Sequence, residues 1–416
     1  MLRGKDIVCI SSLDWGAMWT SKQQIMHRLA QTNRVLYVEE PVTMLAPLKV
    51  PAHWRRWAAA LPRLKRVDAG LWTLTPPPLL PFGNMKPLVN RGNQAMLARY
   101  IDWAMNRLYF DEEYIFWTYL PTSVALLDHL APERGPSRDG GTSTPGAAKA
   151  RRPCLTVYHC VDEHSAFPGF VSPEIVKMYD DRLTERADVV ITTSENLRRS
   201  RQALNPQTYT VLNAADVEIF NRALDPELPL PDDLASIPAP RLGVVGLHDS
   251  RLDLDAIEAI SQADPSWHVV LIGPIKPGQV DEQRLRRLPN VHLLGEKPRP
   301  QLPAYLKGMA AALIPYRANE LTRNIFPLKL FEYLAAGVPV VAGGLPELAG
   351  FSDVIGVAGS AGEYPALVRE QIEGDSGEKR AARVDLAGRN TWDHRVEQIS
   401  TYVEEALTRA GVEVEP

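Results

Sequence analysis

The sequence has few cysteines and no long hydrophobic segment. Its three cysteines, Cys9, Cys154 and Cys160, lie in apolar runs, and neither their number nor their spacing suits a disulfide framework or a zinc site. No apolar run approaches the roughly 18–20 residues of a membrane-spanning helix. The N-terminal segment 1–12 is better explained as a first strand than as a signal peptide. We therefore expect a cytoplasmic protein that begins near Met1 and keeps its cysteines reduced.

Two motifs and a strong charge bias are also absent. The turn after the first strand has no G-x-G-x-x-G, which argues against a dinucleotide-dependent dehydrogenase. No suitable loop carries a D-x-D pair, so we expect neither a metal nor another cofactor. The formal net charge of −4 gives no support for nucleic-acid binding.

What the sequence does contain is a regular alternation of strand and helix patterns. The order strand, helix, strand at Asp6–Ile10, Ser21–Gln31 and Val35–Val38 predicts a parallel sheet. A new first strand begins at Arg241. The chain has 416 residues, of which 45% are hydrophobic and 23% charged. We therefore predict a globular α/β protein with two Rossmann-like parallel-sheet domains.

Composition also predicts where the domains end. Residues 1–222 are expected to form the N-terminal domain and residues 241–390 the C-terminal domain, with the proline-rich residues 223–240 as the linker. Residues 391–416 are expected to be a terminal helix. Residues 131–152 are rich in Pro, Gly, Ser and Ala and lack periodicity, which predicts a mobile loop within the first domain.

The most informative stretch is Tyr316–Pro346. Pro327 to Ala336 is predicted to be a helix with proline at its first position. Gly337 is expected to end the helix, and Val338–Val341 has the composition of a buried strand. The stretch is therefore predicted to be a short helix that leads into a parallel strand.

Lys329 and Glu332 are three residues apart on this helix and share the edge of one face. A helix N-terminus with a nearby lysine suits the oxygens of a nucleotide diphosphate, and a glutamate can accept hydrogen bonds from ribose hydroxyls. The alternative is an exposed Lys–Glu pair on an ordinary amphipathic helix.

The segment from Pro327 through Lys329 and Glu332 to the run Gly337-Val-Pro-Val-Val resembles the donor-sugar motif of GT-B-fold glycosyltransferases. The similarity extends through most of the chain and is closest to bacterial group 1, family-four-like enzymes that build surface polysaccharides. It implies two domains that face each other across a cleft. It also implies that the helix in residues 391–416 returns to the first domain.

The resemblance implies a division of labour between the domains. The C-terminal domain would hold a nucleotide diphosphate sugar as co-substrate, and the N-terminal domain would hold the acceptor, a hydroxyl of a glycan or a lipid-linked glycan. Many retaining members carry two glutamates eight positions apart. Here Asn324 stands where the first would be, so the stereochemical outcome is not carried over.

The donor site is expected to include residues just before the helix and the turn after the first strand of the second domain. The predicted diphosphate-binding residues are Lys329, Arg323, Thr322, Asn324 and Gly246. The predicted ribose-binding residue is Glu332. For Gly246 the signal is a single glycine in a strand–helix turn, and the nearby His248 either approaches the diphosphate or packs.

A second polar cluster follows the predicted strand Cys154–His159. Residues 159–164 contain two histidines and two carboxylates at the carboxyl end of a parallel strand, where ligands bind in open sheets. We predict that Asp162 is the catalytic base that accepts a proton from the acceptor hydroxyl, which resembles related inverting enzymes. A metal site is the alternative, but successive strand residues point to opposite faces and cannot converge without a turn.

The acceptor is predicted to contact His159 and the loop after the first strand. That loop contains Asp14, Trp15 and Gly16, and in an open parallel sheet it faces the crevice. The alternative is that the aromatic ring of Trp15 packs beneath the loop.

The segment Pro41–Val67 has six basic residues, no acidic residue, and tryptophans at positions 54 and 57. This composition is typical of a surface that contacts an anionic membrane, here the inner face of the plasma membrane. The alternative is a solvated basic loop.

Two other functions fit the same resemblance. A sugar-nucleotide 2-epimerase shares the fold but needs several acid/base groups at the donor sugar. A non-catalytic module would bind the nucleotide sugar without turnover, and the absent first glutamate keeps that alternative open.

Overall fold

The computed structural model describes residues 1–16, 19–45, 62–130, 151–167 and 172–413. The chain divides into two compact units, Met1–Val211 with Val396–Pro416, and Leu212–Arg395. The predicted mobile loop at 131–152 lies outside the described residues except for its last two positions, and so do the two tryptophans of the basic segment. No helix in the described ranges is long and apolar enough to cross a membrane.

The first unit is built on an eight-stranded sheet in the order β3-β4-β2-β1-β5-β6-β7-β8. Its strands are β1 (Asp6–Ile10), β2 (Arg34–Val38), β3 (Arg63–Asp68), β4 (Leu71–Thr75), β5 (Glu113–Thr118), β6 (Arg152–Cys160), β7 (Val189–Thr192) and β8 (Thr208–Thr210). Its helices are α1 (Ser21–Leu29), α2 (Pro87–Leu108), α3 (Val124–Leu130), α4 (Pro173–Arg186) and α5 (Glu195–Gln202). All these strands pair in parallel except the antiparallel pair β3–β4.

The second unit is built on a parallel six-stranded sheet in the order β11-β10-β9-β12-β13-β14. Its strands are β9 (Arg241–Val245), β10 (His268–Ile272), β11 (Val291–Gly295), β12 (Ala311–Ile314), β13 (Val340–Gly343) and β14 (Gly356–Ala358). Its helices are α6 (Val217–Phe220), α7 (Asp232–Ala235), α8 (Leu254–Ala263), α9 (Glu282–Arg286), α10 (Leu302–Lys307), α11 (Glu320–Arg323), α12 (Lys329–Ala335), α13 (Tyr364–Glu373) and α14 (Gly377–Gly388). A last helix, α15 (Trp392–Arg409), starts in this unit and ends in the first.

The prediction of an α/β protein with two parallel-sheet units is confirmed, with local corrections. The strand β3 runs antiparallel at the edge of the first sheet, where the sequence showed only a basic segment. Residues 223–240, predicted as a linker, include α7 and place Leu234 and Ile237 in the hydrophobic core of the second unit. The boundary between the units lies before Leu212, earlier than the predicted position.

The helix α12 is held rigidly in the second unit. Its buried residues include Leu330, Phe331 and Leu334, which pack in the main core of the unit. Pro327 precedes the helix instead of opening it, because the first turn is tight and the N–H of Leu330 donates to the Pro327 carbonyl over 3.2 Å.

The end of α12 is fixed as well. Gly337 follows the helix with φ +73°, and a Cβ at this position would lie 2.9 Å from Arg380 Cγ, so glycine is required for two reasons. The buried guanidinium of Arg383 donates to the Gly337 carbonyl over 2.8 Å and to Asp375 over 2.7 Å. The side chains on α12 are therefore positioned by packing at both ends.

Candidate functional site

Lys329, the first residue of α12, lies against the turn that follows β9. A Cβ built on Gly246 would be 2.3 Å from Lys329 Nζ and 2.2 Å from its Cε. A Cβ there would force the end of the lysine side chain out of this position. Gly246 also has φ +122°, which other residues rarely adopt. The structure therefore brings together Gly246 and Lys329, which the sequence assigned to one site, at the carboxyl end of the sheet.

A second glycine maintains this close approach. A Cβ on Gly273, at the end of β10, would lie 1.9 Å from the carbonyl oxygen of Gly246, and Gly273 has φ +140°. The N–H of Gly246 donates to the Ile272 carbonyl over 2.7 Å. Gly273 is not among the residues predicted from the sequence. A glycine immediately after each of two successive buried strands was the signal that could have found it.

His248, two residues after Gly246, is 3% exposed. Burial, reinforced by the positive charge of Lys329, lowers its pKa to about 4, so the imidazole is neutral at pH 7. Its Nε2 has no hydrogen-bond partner among the described residues. A buried ring nitrogen without a partner, beside a lysine, is available to a ligand at the same turn.

Glu332 lies one helical turn after Lys329 and is half-buried. Burial raises the pKa of its carboxyl group, the charges of Lys329 and Arg299 oppose that rise, and the charge of Asp216 adds to it. Arg299 forms an ion pair with Asp216 at 3.3 Å. Arg299 was not predicted from the sequence. The carboxylate of Glu332 therefore belongs to a cluster of two basic and two acidic side chains that includes Lys329.

The three predicted diphosphate ligands on and after α11 differ in their positions. Thr322 is fully buried, its hydroxyl donates to the Arg317 carbonyl, and its backbone N–H bonds the side chain of Asn319 over 2.9 Å. Its hydroxyl also accepts from the Asn319 N–H over 2.9 Å, which completes a capping box with the N-cap residue Asn319. Asn324 Nδ2 donates to the Glu320 carbonyl over 2.9 Å, and Arg323 is exposed. Of the three, only Arg323 has a charged side chain, and it is the one that is exposed.

In the first unit, β6 ends at Cys160 and places His159 in the interior. His159 is 1% exposed and stacks on the ring of Tyr119 with 4.9 Å between centroids. Burial, together with the charge of Lys22, lowers its pKa to about 3. Its Nδ1 has no hydrogen-bond partner in the described part of the chain. A neutral histidine with an unpartnered ring nitrogen therefore lies at the end of β6, three residues before Asp162.

Lys22 is a functional candidate that the sequence analysis did not identify. It is the second residue of α1, is 6% exposed, and its Nζ lies 5.4 Å from the centroid of the Tyr119 ring. Burial lowers its pKa, and the negative charges of Asp162 and Glu40 oppose the shift. The carboxyl ends of β1, β5 and β6 thus gather a buried lysine, a neutral histidine and Asp162.

The other two polar members of the cluster at 159–164, Glu163 and His164, differ in their contacts. Glu163 bonds Arg201 at 2.7 Å, and the same guanidinium bonds buried Asp180 at 2.7 Å, so Glu163 is part of the internal scaffold. His164 has an unpartnered Nε2 within the described ranges, and burial lowers its pKa to about 4. Among the described residues, no group of three or more His, Cys, Asp or Glu side chains could hold a metal ion.

The loop after β1 is partly fixed by its own contacts. The Trp15 N–H donates to Glu39 Oε1 over 3.0 Å, and its ring packs edge-on against Tyr37 at 5.0 Å. The Asp14 carbonyl accepts from Gln23 over 3.1 Å. Gly16 has φ +88°, and nothing lies within 4 Å of a Cβ built at this position. The aromatic ring of Trp15 therefore packs, while Asp14 and Gly16 remain at the loop surface.

Comparison with known proteins identifies a related domain in the second unit. Residues 241–373 match the family described as "Glycosyl transferases group 1". The chain is 28% identical over 239 residues to the putative teichuronic acid biosynthesis glycosyltransferase TuaH of Bacillus subtilis (strain 168), a match that covers 55% of this chain and 60% of that protein. The chain thus aligns with about three-fifths of the length of this curated relative.

Solved structures share the whole fold at low sequence identity. An α,α-trehalose 6-phosphate synthase from Burkholderia multivorans has a TM-score of 0.68 at 11% identity, covering 99% of this chain and 100% of the other. A sucrose-phosphate synthase from Thermosynechococcus elongatus has a TM-score of 0.67 at 15% identity, covering 98% and 100%. Anabaena Alr3699/HepE, in complex with UDP and glucose, has a TM-score of 0.60 at 16% identity, covering 96% and 100%. The GT-B fold implied by the sequence is confirmed.

Proposed function

We propose that this protein, whose residues 241–373 form a group 1 glycosyltransferase domain, transfers a sugar from a nucleotide diphosphate sugar to an acceptor hydroxyl of a glycan or lipid-linked glycan. The process would be cell-surface polysaccharide synthesis, at the cytoplasmic side of the membrane. The observation that carries the proposal is the Lys329 ammonium lying against Gly246, with Glu332 one turn further along α12. That arrangement offers a cation to a diphosphate and a carboxylate to a ribose.

In the proposed donor chemistry, the diphosphate of the nucleotide sugar is the leaving group. When the bond at the anomeric carbon breaks, negative charge grows on the diphosphate. Lys329 supplies a preorganised positive charge at that point, and neutral His248 and exposed Arg323 add hydrogen-bond donors. Because α12 has only seven residues, we assign this stabilisation to the side chains and not to a helix dipole. Asn324 and Thr322 would shape the preceding loop.

The acceptor chemistry is assigned to the first unit. Asp162 would accept the proton of the attacking hydroxyl. Lys22, whose pKa responds to the charge of Asp162, would supply a positive charge to the same part of the site. His159, buried and neutral, would orient an acceptor group through its unpartnered nitrogen, and Asp14 and Gly16 would contact the rest of the acceptor.

Glu332→Gln is expected to weaken the binding of UDP or GDP by about 10–100-fold, because a hydrogen bond to a charged group contributes about 1.5–3 kcal/mol. Since the pKa of Glu332 is raised, the wild type should lose affinity as the pH falls through that raised pKa, and the variant should not. The unliganded variant should unfold at a higher temperature at pH 7, because it no longer buries a charge. Calorimetry at several pH values and a melting curve measure both effects. Equal affinity in the two proteins would remove Glu332 from the site.

Gly246→Ala is expected to lower both stability and nucleotide affinity. The added methyl group would collide with the Lys329 side chain, and the positive φ strains any residue with a Cβ, at a cost of about 1–3 kcal/mol. Gly278→Ala is the matched control, since Gly278 also has a positive φ, +74°, but nothing lies within 4 Å of a Cβ built at that position. Urea unfolding should show a loss in both variants, whereas calorimetry should show weaker UDP or GDP binding in Gly246→Ala alone.

A peripheral membrane contact is also part of the proposal. Within the basic segment 41–67, the described strand β3 exposes Arg63, Lys65 and Arg66. We expect the protein to co-sediment with phosphatidylglycerol vesicles and not with phosphatidylcholine vesicles. The variant with all three β3 residues changed to glutamate should co-sediment less. Indifference of the wild type to anionic lipid would end this part of the proposal.

The proposed function is tested in two steps. In a thermal-shift panel, nucleoside diphosphates and their sugars should raise the melting temperature of the protein by mass action if they bind at the donor site. Release of free nucleoside diphosphate that depends on an added acceptor then identifies a transferase. Epimerised nucleotide sugar without acceptor would identify an isomerase, and binding without any turnover would identify a binding module.

A further inference from the structure

The first unit contains a cavity of about 490 Å³ at the carboxyl ends of β1, β2, β4 and β5. The segments that follow these strands form most of it, and the first half of α2 closes one side. This volume lies in the range of sites for small molecules, about 300–1,000 Å³. The residues that line the cavity include Leu45, Leu80, Phe82, Leu97, Gln94 and Glu40.

The walls of the cavity are largely apolar, and part of them is open to solvent. Leu45, Leu80 and Phe82 are 40%, 47% and 47% exposed. A single exposed apolar side chain is ordinary, but several around one cavity are typical of a binding site. Phe82 also has φ +68°, an unfavourable conformation for a residue with a Cβ. The backbone thus holds a large apolar ring at the rim of the cavity.

Gln94, one of the residues that line the cavity, has an acceptor atom without a partner among the described residues. Gln94 is 5% exposed, and its Nε2 donates to Asn90 Oδ1 over 3.2 Å. Its Oε1 has no hydrogen-bond partner among the described residues. A buried acceptor of this kind costs free energy unless a donor reaches it. A ligand with a hydroxyl or N–H group next to an apolar part would satisfy both the acceptor and the walls.

The cavity lies beside the proposed acceptor chemistry. Glu40 lines the cavity, and its charge acts on Lys22. The charge of Asp162 acts on the same lysine. Ile10, the last residue of β1, is a further lining residue. A molecule in the cavity would therefore reach towards Asp162 without leaving the first unit.

We propose that this cavity holds the apolar chain of an amphiphilic acceptor, so that the sugar is transferred to a lipid-linked glycan and not to a free one. Gln94 Oε1 accepts a hydrogen bond from a hydroxyl or N–H group at the junction of chain and glycan. This inference rests on the proposed function, because it names the class of acceptor that the proposed transferase uses.

Alkyl glucosides of increasing chain length test the proposal with the full-length protein. Below their micelle-forming concentrations, calorimetry should show no binding of methyl glucoside and increasing affinity from hexyl to decyl glucoside. Each buried methylene should raise the affinity up to about fourfold. The gain should stop when the cavity is full.

Leu80→Asp and Leu45→Asp should each weaken octyl glucoside binding at least tenfold. Leu204→Asp is the matched control, since Leu204 is 37% exposed and precedes β8, at the opposite edge of the same sheet. It should bind octyl glucoside as the wild type does. A melting curve of each variant establishes that it is folded, and the two rim positions provide independent tests.

Three results would overturn the proposal: equal affinity for methyl and octyl glucosides, affinity that keeps rising with chain length without a limit, or unchanged binding in folded rim variants. The second would indicate adsorption to a surface. The thermal-shift panel of nucleotides tests the proposed function independently of the glucoside binding. If octyl glucoside binds as expected while no nucleoside diphosphate shifts the melting temperature, the donor assignment fails and the amphiphile site remains.

Discussion

Replacing Lys329 by alanine is expected to lower the turnover of sugar transfer by about two to three orders of magnitude, which corresponds to about 3–4 kcal/mol of transition-state stabilisation. The ammonium group lies at the turn after β9, where a Cβ on Gly246 would be within 2.3 Å of it. A charge held in that position needs no reorganisation when negative charge develops on the departing diphosphate. Its loss therefore affects the transition state more than the ground state.

The measurement is the initial rate of nucleoside diphosphate release with saturating donor and an acceptor that supports turnover of the wild type. Lys379→Ala is the control, since this lysine lies exposed on α14 of the same unit. It should keep wild-type turnover. If Lys329→Ala turns over at the wild-type rate, Lys329 has no part in the chemistry and the donor site must be sought elsewhere.

Replacing Asp162 by asparagine is expected to lower the rate by about two to four orders of magnitude, the range that general base catalysis contributes. Asparagine keeps the size and the hydrogen-bonding ability of the side chain but cannot accept the proton. The affinity for UDP or GDP should not change, because the donor residues all lie in the other unit.

Asp181→Asn provides the matched control for this change. Asp181 lies on α4 of the same unit and pairs with Lys177 at 2.8 Å near the surface. We expect its turnover to stay within a factor of about two of the wild type, because exposed ion pairs contribute little. Turnover of Asp162→Asn above about a tenth of the wild-type rate would contradict the assignment of Asp162 as the base. Loss of nucleotide binding in the same variant would instead indicate a structural role.

The sequence predicted local features well where the pattern was short-range. The alternation of buried strands and helices, the helix around Lys329 and the glycine that ends it all follow from spacing and composition within about ten residues. The helix boundaries moved by one or two residues, and Pro327 proved to lie before α12, because a tight first turn replaced the expected proline start. The antiparallel strand β3 was missed because its side chains are mostly charged and exposed at a sheet edge.

The candidate site depended more on tertiary structure. Gly246 and Lys329 were both named from the sequence, but their contact joins two segments that are far apart in the chain. The contributions of Arg299 and Lys22 have no local pattern at all. Burial decided the rest: Thr322 is a buried partner in the capping box of Asn319, and His159 is a buried, neutral ring on β6.

By itself, the sequence determined the fold class and the two positions on α12 that define the proposed donor site. Such information is encoded in neighbouring residues, since the periodicity of apolar side chains and the backbone freedom of glycine act locally. The tertiary structure decided which buried groups lack partners, which carboxyl and imidazole groups have displaced pKa values, and where an apolar cavity opens. Those properties arise from desolvation and from contacts between distant segments, which only the folded chain creates.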